Sequence, residues 1–228
     1  MKFDILTGRS TSHLMELLPH QKLVHKDMRD DFERLYLAGK AAGFDIQITS
    51  CFRGFEQQLN IWNAKALGQR VLLDSHGEPI DYNTLSPEEI VLAIMRWSAI
   101  PGASRHHWGT DVDVFDGNTM KREDVQLTPQ EVAPDGPSGK LHLWLNEQIK
   151  KNKSFGFFRP YSADLGGVAP EKWHLSYAPI SNEFFQEYTL DVFKKNLEQS
   201  NLELAHVLLE NPEFYFKQYV TNITKAPF

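Results

Sequence analysis

The chain has 228 residues, a formal net charge of −6 and one cysteine, Cys51. That length supplies a sizeable core. The acidic balance, with Lys and Arg scattered among acids, argues against nucleic acid as a partner, and a lone cysteine excludes both an internal disulfide and a Cys-rich structural metal site. No apolar run approaches the ~20 residues that span a bilayer. Residues 1–10 carry Lys2, Asp4 and Arg9 without an apolar stretch, so no signal peptide is read there. By that criterion the compartment is the cytoplasm, unless the protein leaves by another route or a leader was removed.

Residues 26–43 are predicted helical, with Met28, Phe32, Leu35 and Tyr36 at helical spacing and Gly43 as a stop. Residues 45–49 alternate as a strand, and 55–66 form a second helix. Gly77 and Pro79 break 68–85 into a loop or hairpin insertion. Ser86-Pro87-Glu88-Glu89 signals a helix start, with an N-cap serine, a first-turn proline and a glutamate to close a capping box; that helix should run to about Ala99. Residues 110–115 alternate again, with Val112 and Val114 on one face and Asp111 and Asp113 on the other. Residues 116–138 are turn-rich, with a short helix expected from Thr128; Gly136 to Lys140 resembles a phosphate loop only superficially, has the wrong spacing, and reads as a turn. Leu141, Trp144, Leu145 and Ile149 mark another helix. Two strands are expected over 155–161 and 173–178, then helices over roughly 182–199, 202–210 and 212–223, the last capped by Asn211-Pro212. Without regular βαβ units, the reading is α+β: one domain over 1–228, a mostly antiparallel sheet flanked by helices, and a C-terminal helical extension over 182–228.

Two short segments carry the chemistry. Ser104 to Asp113 offers His106 from a turn that Gly109 lets bend, and Asp113 from the polar face of the following strand. Glu171-Lys172-Trp173-His174 supplies a second imidazole and a spare carboxylate. His106, Asp113 and His174 are candidate ligands of one Zn²⁺, leaving a position for water; such a ligand set also suits Fe(II). Glu171, on the loop entering the second strand, is placed to act as general base. Arg53, just past the strand ending at Cys51, is the candidate cation for a developing oxyanion.

Ser104-x-His106-x-x-Gly109-x-x-x-Asp113 resembles the signature of VanY-like D-alanyl-D-alanine carboxypeptidases, and Glu171-x-x-His174 matches that family's second element. Thr49-Ser50-Cys51-Phe52-Arg53-Gly54-Phe55-Glu56-Gln57-Gln58 is similar to its upstream segment. The three blocks agree in order and spacing, so the resemblance covers about residues 26–180. It implies a small α+β zinc peptidase acting on D-amino-acid-containing cell-wall peptides, with His106, Asp113 and His174 as zinc ligands and Glu171 as base. It also implies that Arg53 stabilises the tetrahedral intermediate or the substrate carbonyl, and that Gln58 and Ser104 line the substrate site. Trp173 is a candidate pocket wall, with core packing as its default. The substrate class points to the cell envelope, against the compartment read from the N-terminal residues.

The chain departs from the pattern at three places. Asp111 stands where the family usually has alanine, Cys51 and Phe52 replace glycine and tyrosine, and Ser176 occupies a position where arginine is common. Asp111 is read as a fourth ligand, a carboxylate orienting a ligand imidazole, or a solvated or salt-bridged group. His107 is expected behind the site or exposed, and His13, His20, His25, His76, His142 and His206 are read as ordinary. Cys51 has no base beside it and is read as inert. Phe214-Tyr215-Phe216 is expected to pack on the core. Within the family, a D,D-dipeptidase, an L,D-carboxypeptidase and an endopeptidase stay open. Outside it, so does a non-catalytic zinc-containing module that binds cell-wall peptides.

Overall fold

A computed structural model describes residues 2–18 and 20–227. The chain opens with α1 (Lys2–Leu6) and a hairpin of β1 (Leu14–Leu17) and β2 (Lys22–His25). Then come α2 (Arg29–Ala41), β3 (Ile46–Ser50) and α3 (Phe55–Ala66). A second small hairpin, β4 (Leu72–Leu73) and β5 (Pro79–Ile80), precedes α4 (Pro87–Trp97). After them follow β6 (Asp111–Asp116), α5 (Gly139–Lys150), β7 (Phe157–Phe158), β8 (His174–Tyr177), α6 (Ala178–Glu187), α7 (Leu190–Glu198), α8 (Ala205–Glu210) and α9 (Pro212–Tyr215). No helix among the described residues is long and apolar enough to cross a membrane.

The central sheet runs β3-β6-β8-β7 with every neighbour antiparallel. Alternation along its strands sorts the side chains into two layers. Ile46, Ile48, Val112, Val114, Leu175, Phe157 and Tyr177 form one face and pack with Phe32 and Leu35 of α2 and Leu141 and Leu145 of α5. The opposite face carries Asp111, Asp113, His174 and Ser176. It is buried as well, because all six residues of β6 and all four of β8 are covered. A second apolar cluster, built from α3, α4 and α6 to α9 around Trp62, Ile94 and Phe193, lies outside the sheet cluster. A polar sheet face enclosed in this way requires partners for every group on it.

Local signals explain most of the elements. Ser86 and Glu89 form the expected capping box on α4. Gly43 stops α2 with φ = +88°. Asn211 caps α9 through Phe214 N–H.

Four expectations on elements change. No helix starts at Thr128: Leu127 sits at φ = +59° and the Glu131 carboxylate takes the amides of Gln126 and Leu127, fixing a turn before Pro129. The expected strand over 155–161 shrinks to two residues, because Phe155 (φ +53°) and Gly156 (φ +84°) turn the chain and Pro160 follows. The helix expected over 182–199 begins earlier, with Pro179 in its first turn, and breaks at Tyr188. Thr189 then caps α7 by accepting from Val192 N–H. The last helix narrows to α9 and a π-helical turn, Phe216–Val220.

Candidate metal centre

The Arg105–Trp108 turn delivers His106. It ends at Gly109, whose φ of +69° suits glycine and whose missing side chain leaves room for Leu14 and the His25 backbone. His106 Nδ1 lies 2.9 Å from the Cys51 carbonyl, so that nitrogen carries the proton and donates it, and Nε2 faces Asp113 Oδ2 at 3.3 Å. Asp113 and His174 are direct partners across β6 and β8. His174 Nδ1 lies 3.3 Å from Asp113 Oδ1 and 3.3 Å from Glu171 Oε2.

One ligand atom from each of His106, Asp113 and His174 lies within 4.8 Å of the others. A tetrahedral ion with bonds of about 2.1 Å holds its ligand atoms about 3.4 Å apart, close to the two contacts at 3.3 Å. Asp113 Oδ1 and His174 Nδ1 are buried and have no hydrogen-bond partner. Buried groups left so are costly, and a cation between them satisfies both. The donor set fits a divalent metal ion. Without one, burial opposes charge on His174, but the hydrogen bond to Asp111 and the nearby carboxylates of Asp113 and Glu171 prevail and raise its pKa well above the ordinary histidine value. Burial likewise opposes the Asp113 charge, and the His106 and His174 imidazoles outweigh it, holding this carboxyl far below the carboxylate range.

Asp111 is not a free ligand. Its Oδ1 accepts from Arg105 Nε at 2.9 Å and His174 Nε2 at 2.8 Å; its Oδ2 accepts from Thr110 Oγ1 at 2.7 Å and Ser176 Oγ at 3.1 Å. Four donors saturate the carboxylate. Two of the readings left open are met at once: the carboxylate is salt-bridged to Arg105, and it orients the imidazole of His174, a candidate ligand. Asp111 and Ser176 face each other in the register of β6 and β8, and Arg105 Nη2 donates to Ser176 Oγ at 2.6 Å. Two departures from the family pattern are thus one feature: an acid and a small hydroxyl that together accommodate a buried guanidinium. Sequence reasoning passed over Arg105 as an unspecified motif position. The signal was the pairing of an extra aspartate with a missing arginine.

His107 is fully buried and both ring nitrogens are used: Nδ1 donates to the Arg53 carbonyl at 2.6 Å, and Nε2 accepts from Gly102 N–H at 2.9 Å. Burial holds its pKa down to about 3. It braces the Arg53 backbone, whose own N–H donates to the His106 carbonyl. Cys51 is buried, burial pushes its thiol up, and its carbonyl serves His106.

A cleft of about 290 Å³ opens over the three candidate ligands. Glu171, Arg53, Ser104 and Trp173 line it. Glu171 keeps 15% of its side chain exposed, against 3–4% for His174 and Asp113, so it can meet a ligand from solvent. Gln58 does not line the cleft. It is fully buried behind Arg53, accepting from Nη1 at 2.9 Å and donating to the Ala99 carbonyl at 2.7 Å. Its position lets it aim Arg53, which also donates to Ser50 Oγ at 3.0 Å. Among the other wall residues, sequence reasoning missed Lys65, Tyr161, Tyr219 and Val220; no motif marks them.

The chain matches the VanY family, described as D-alanyl-D-alanine carboxypeptidase, over residues 21–180. An uncharacterized protein of Haemophilus influenzae is 32% identical over 124 residues, covering 53% of this chain and 92% of that relative. Among solved structures, VanYB in complex with D-alanine-D-alanine superposes with a TM-score of 0.50 at 21% identity, covering 86% of this chain and 87% of that one. The LdcB LD-carboxypeptidase does so with a TM-score of 0.50 at 18% identity, covering 91% and 78%. At these identities the superpositions establish the shared fold. With the family match spanning more than half of the sequence, the chain belongs to the VanY D-alanyl-D-alanine carboxypeptidase family.

Proposed function

We propose that the protein is a zinc-dependent carboxypeptidase that releases the terminal D-alanine of peptidoglycan-type peptides. One observation carries this reading: two buried atoms without partners, Asp113 Oδ1 and His174 Nδ1, share a point with His106 and lie beside the partly exposed Glu171. His106, Asp113 and His174 would hold the ion. Bound there, Zn²⁺ supplies Lewis acidity and makes a water acidic enough to attack near neutral pH.

The chain's own groups do the rest. Glu171 takes the proton of the attacking water and passes it to the departing amine. Arg53, held at both ends of its guanidinium by Gln58 and Ser50, donates to the carbonyl oxygen as negative charge develops. Ser104 and Trp173 line the substrate channel. Asp111 keeps the Nε2 proton of His174 engaged, which leaves Nδ1 as the nitrogen that would hold an ion. VanYB, whose structure holds D-alanine-D-alanine, supports the substrate class.

The test is release of D-alanine from a muropeptide ending in D-Ala-D-Ala by chelator-treated protein, before and after zinc is restored. Zinc-dependent release is the expected result. Zinc-loaded protein that cleaves no D,D- or L,D-peptide overturns the proposal.

A further inference from the structure

Lys65 lies in the last turn of α3 and lines the same cleft as the candidate metal ligands. It is partly buried, and its Nζ donates to Ser98 Oγ at 2.7 Å. The neighbouring residue, Ala99, takes the Gln58 amide, and Gln58 holds Arg53. Consecutive Cα atoms are only about 3.8 Å apart, so the ammonium and the guanidinium stand along one stretch of wall. Every acceptor they have is neutral: a serine hydroxyl for Lys65, an amide oxygen and a serine hydroxyl for Arg53. Among the described residues neither forms an ion pair, while the acids of the cleft, Asp113 and Glu171, face the imidazoles.

Burial, and then the charges of Arg70 and Arg53, hold the Lys65 ammonium below the ordinary lysine value. A chain with 30 acidic and 24 basic side chains thus keeps two cations in its cleft without an internal counter-ion. Withdrawing a cation from water without a partner is unfavourable. A ligand that brings an anion relieves the cost.

We propose that Lys65 anchors the free C-terminal carboxylate of the substrate, leaving Arg53 to the scissile carbonyl. The inference rests on the peptidase reading and sharpens it: the chain acts at free peptide ends, and Lys65 sets that preference.

The experiment compares N-acyl-D-Ala-D-Ala with its C-terminal amide on zinc-loaded wild type, Lys65→Met and Lys65→Arg. Wild type should prefer the acid. Lys65→Met should raise KM for the acid by about 10- to 100-fold, the scale of one hydrogen bond to a charged group. kcat, zinc content and the KM for the amide should hold, and Lys65→Arg should recover most of the loss. Calorimetric binding of the same two peptides to the same three proteins reads the preference without turnover. If nothing is hydrolysed but wild type binds the acid preferentially and Lys65→Met does not, the carboxylate site stands and the carboxypeptidase reading falls. Equal handling of acid and amide by wild type, or an unchanged acid-to-amide ratio in Lys65→Met, overturns the inference.

Discussion

The two ends of the cleft are built by different means. At the end that holds the candidate ligands, Asp111, Asp113, His174 and Ser176 sit on paired strands and are almost wholly buried, and the carboxylate of Asp111 has four donors. At the other end the walls come from separate segments. Lys65 ends a helix, Leu73 belongs to a small hairpin, and Tyr219 and Val220 come from a π-helical turn beyond the family match. Strand pairing holds Asp113 and His174, two of the three candidate ligands, on rigid elements, and the Arg105–Trp108 turn delivers the third, the rigidity a coordination site would need. Walls that only select a substrate tolerate supply from anywhere in the chain.

Removing a ligand should break the first end outright. His106→Ala is expected to lose stoichiometric metal and turnover together, with a larger loss of affinity than the ~10–100-fold typical of a group behind the ligands. Metal analysis of the purified variant checks it. Glu171→Gln should separate metal from chemistry: zinc content stays, while kcat falls by about 10²–10⁴, the scale of a general acid-base group. Retained turnover would remove Glu171 from the mechanism.

Asp111 tests whether the end with the candidate ligands depends on groups behind it. Asp111→Ala should weaken zinc binding by about 10- to 100-fold in a chelator competition. It also leaves Arg105 buried without its carboxylate, at a cost of about 3–5 kcal/mol in unfolding free energy. Adding Arg105→Met should recover stability in urea without restoring zinc affinity. Recovery of both would make Asp111 a partner of Arg105 alone. At the far end, Tyr219→Ala should change neither metal content nor kcat and should raise KM only a few-fold, as expected for a contact made equally in ground and transition states.

The same contrast explains what was legible in the sequence. His106, Asp113 and His174 were readable because a turn and two short strands carry them in compact motifs. The sheet's strand pattern was readable because Val112 and Val114 alternate with Asp111 and Asp113. Gln58 was placed on the substrate side, yet it stands behind Arg53, since a motif gives residue identity without the direction of the side chain. The Thr128 helix failed because a carboxylate, Glu131, captured local amides that a helix would have left free. Lys65 and Tyr219 were invisible because nothing local links a helix end or a tail turn to a site assembled far along the chain.

A last effect lies behind the candidate ligands and concerns acid. His142 on α5 is 1% exposed, and its Nδ1 lies 3.2 Å from Arg159 Nη2. Arg159 also donates to the Lys172 carbonyl, in the segment that carries Glu171 and His174. Burial first, then the Arg159 and Lys172 charges, push the His142 pKa down to about 3. The folded value lies below the unfolded 6.5, so the unfolded chain binds a proton that the native state refuses. The stability this neutral ring contributes is full above pH 6.5 and is lost progressively as pH falls toward 3. At pH 5 the loss is up to about 2 kcal/mol, from 1.36 kcal/mol per pH unit. Urea unfolding of metal-free protein at pH 7 and pH 5 isolates the effect from metal release. His142→Gln, which cannot titrate, should flatten that difference by the same amount. An unchanged slope would mean that the acid sensitivity of the scaffold lies elsewhere, with His107, held down to about 3 chiefly by burial, as the next ring to replace.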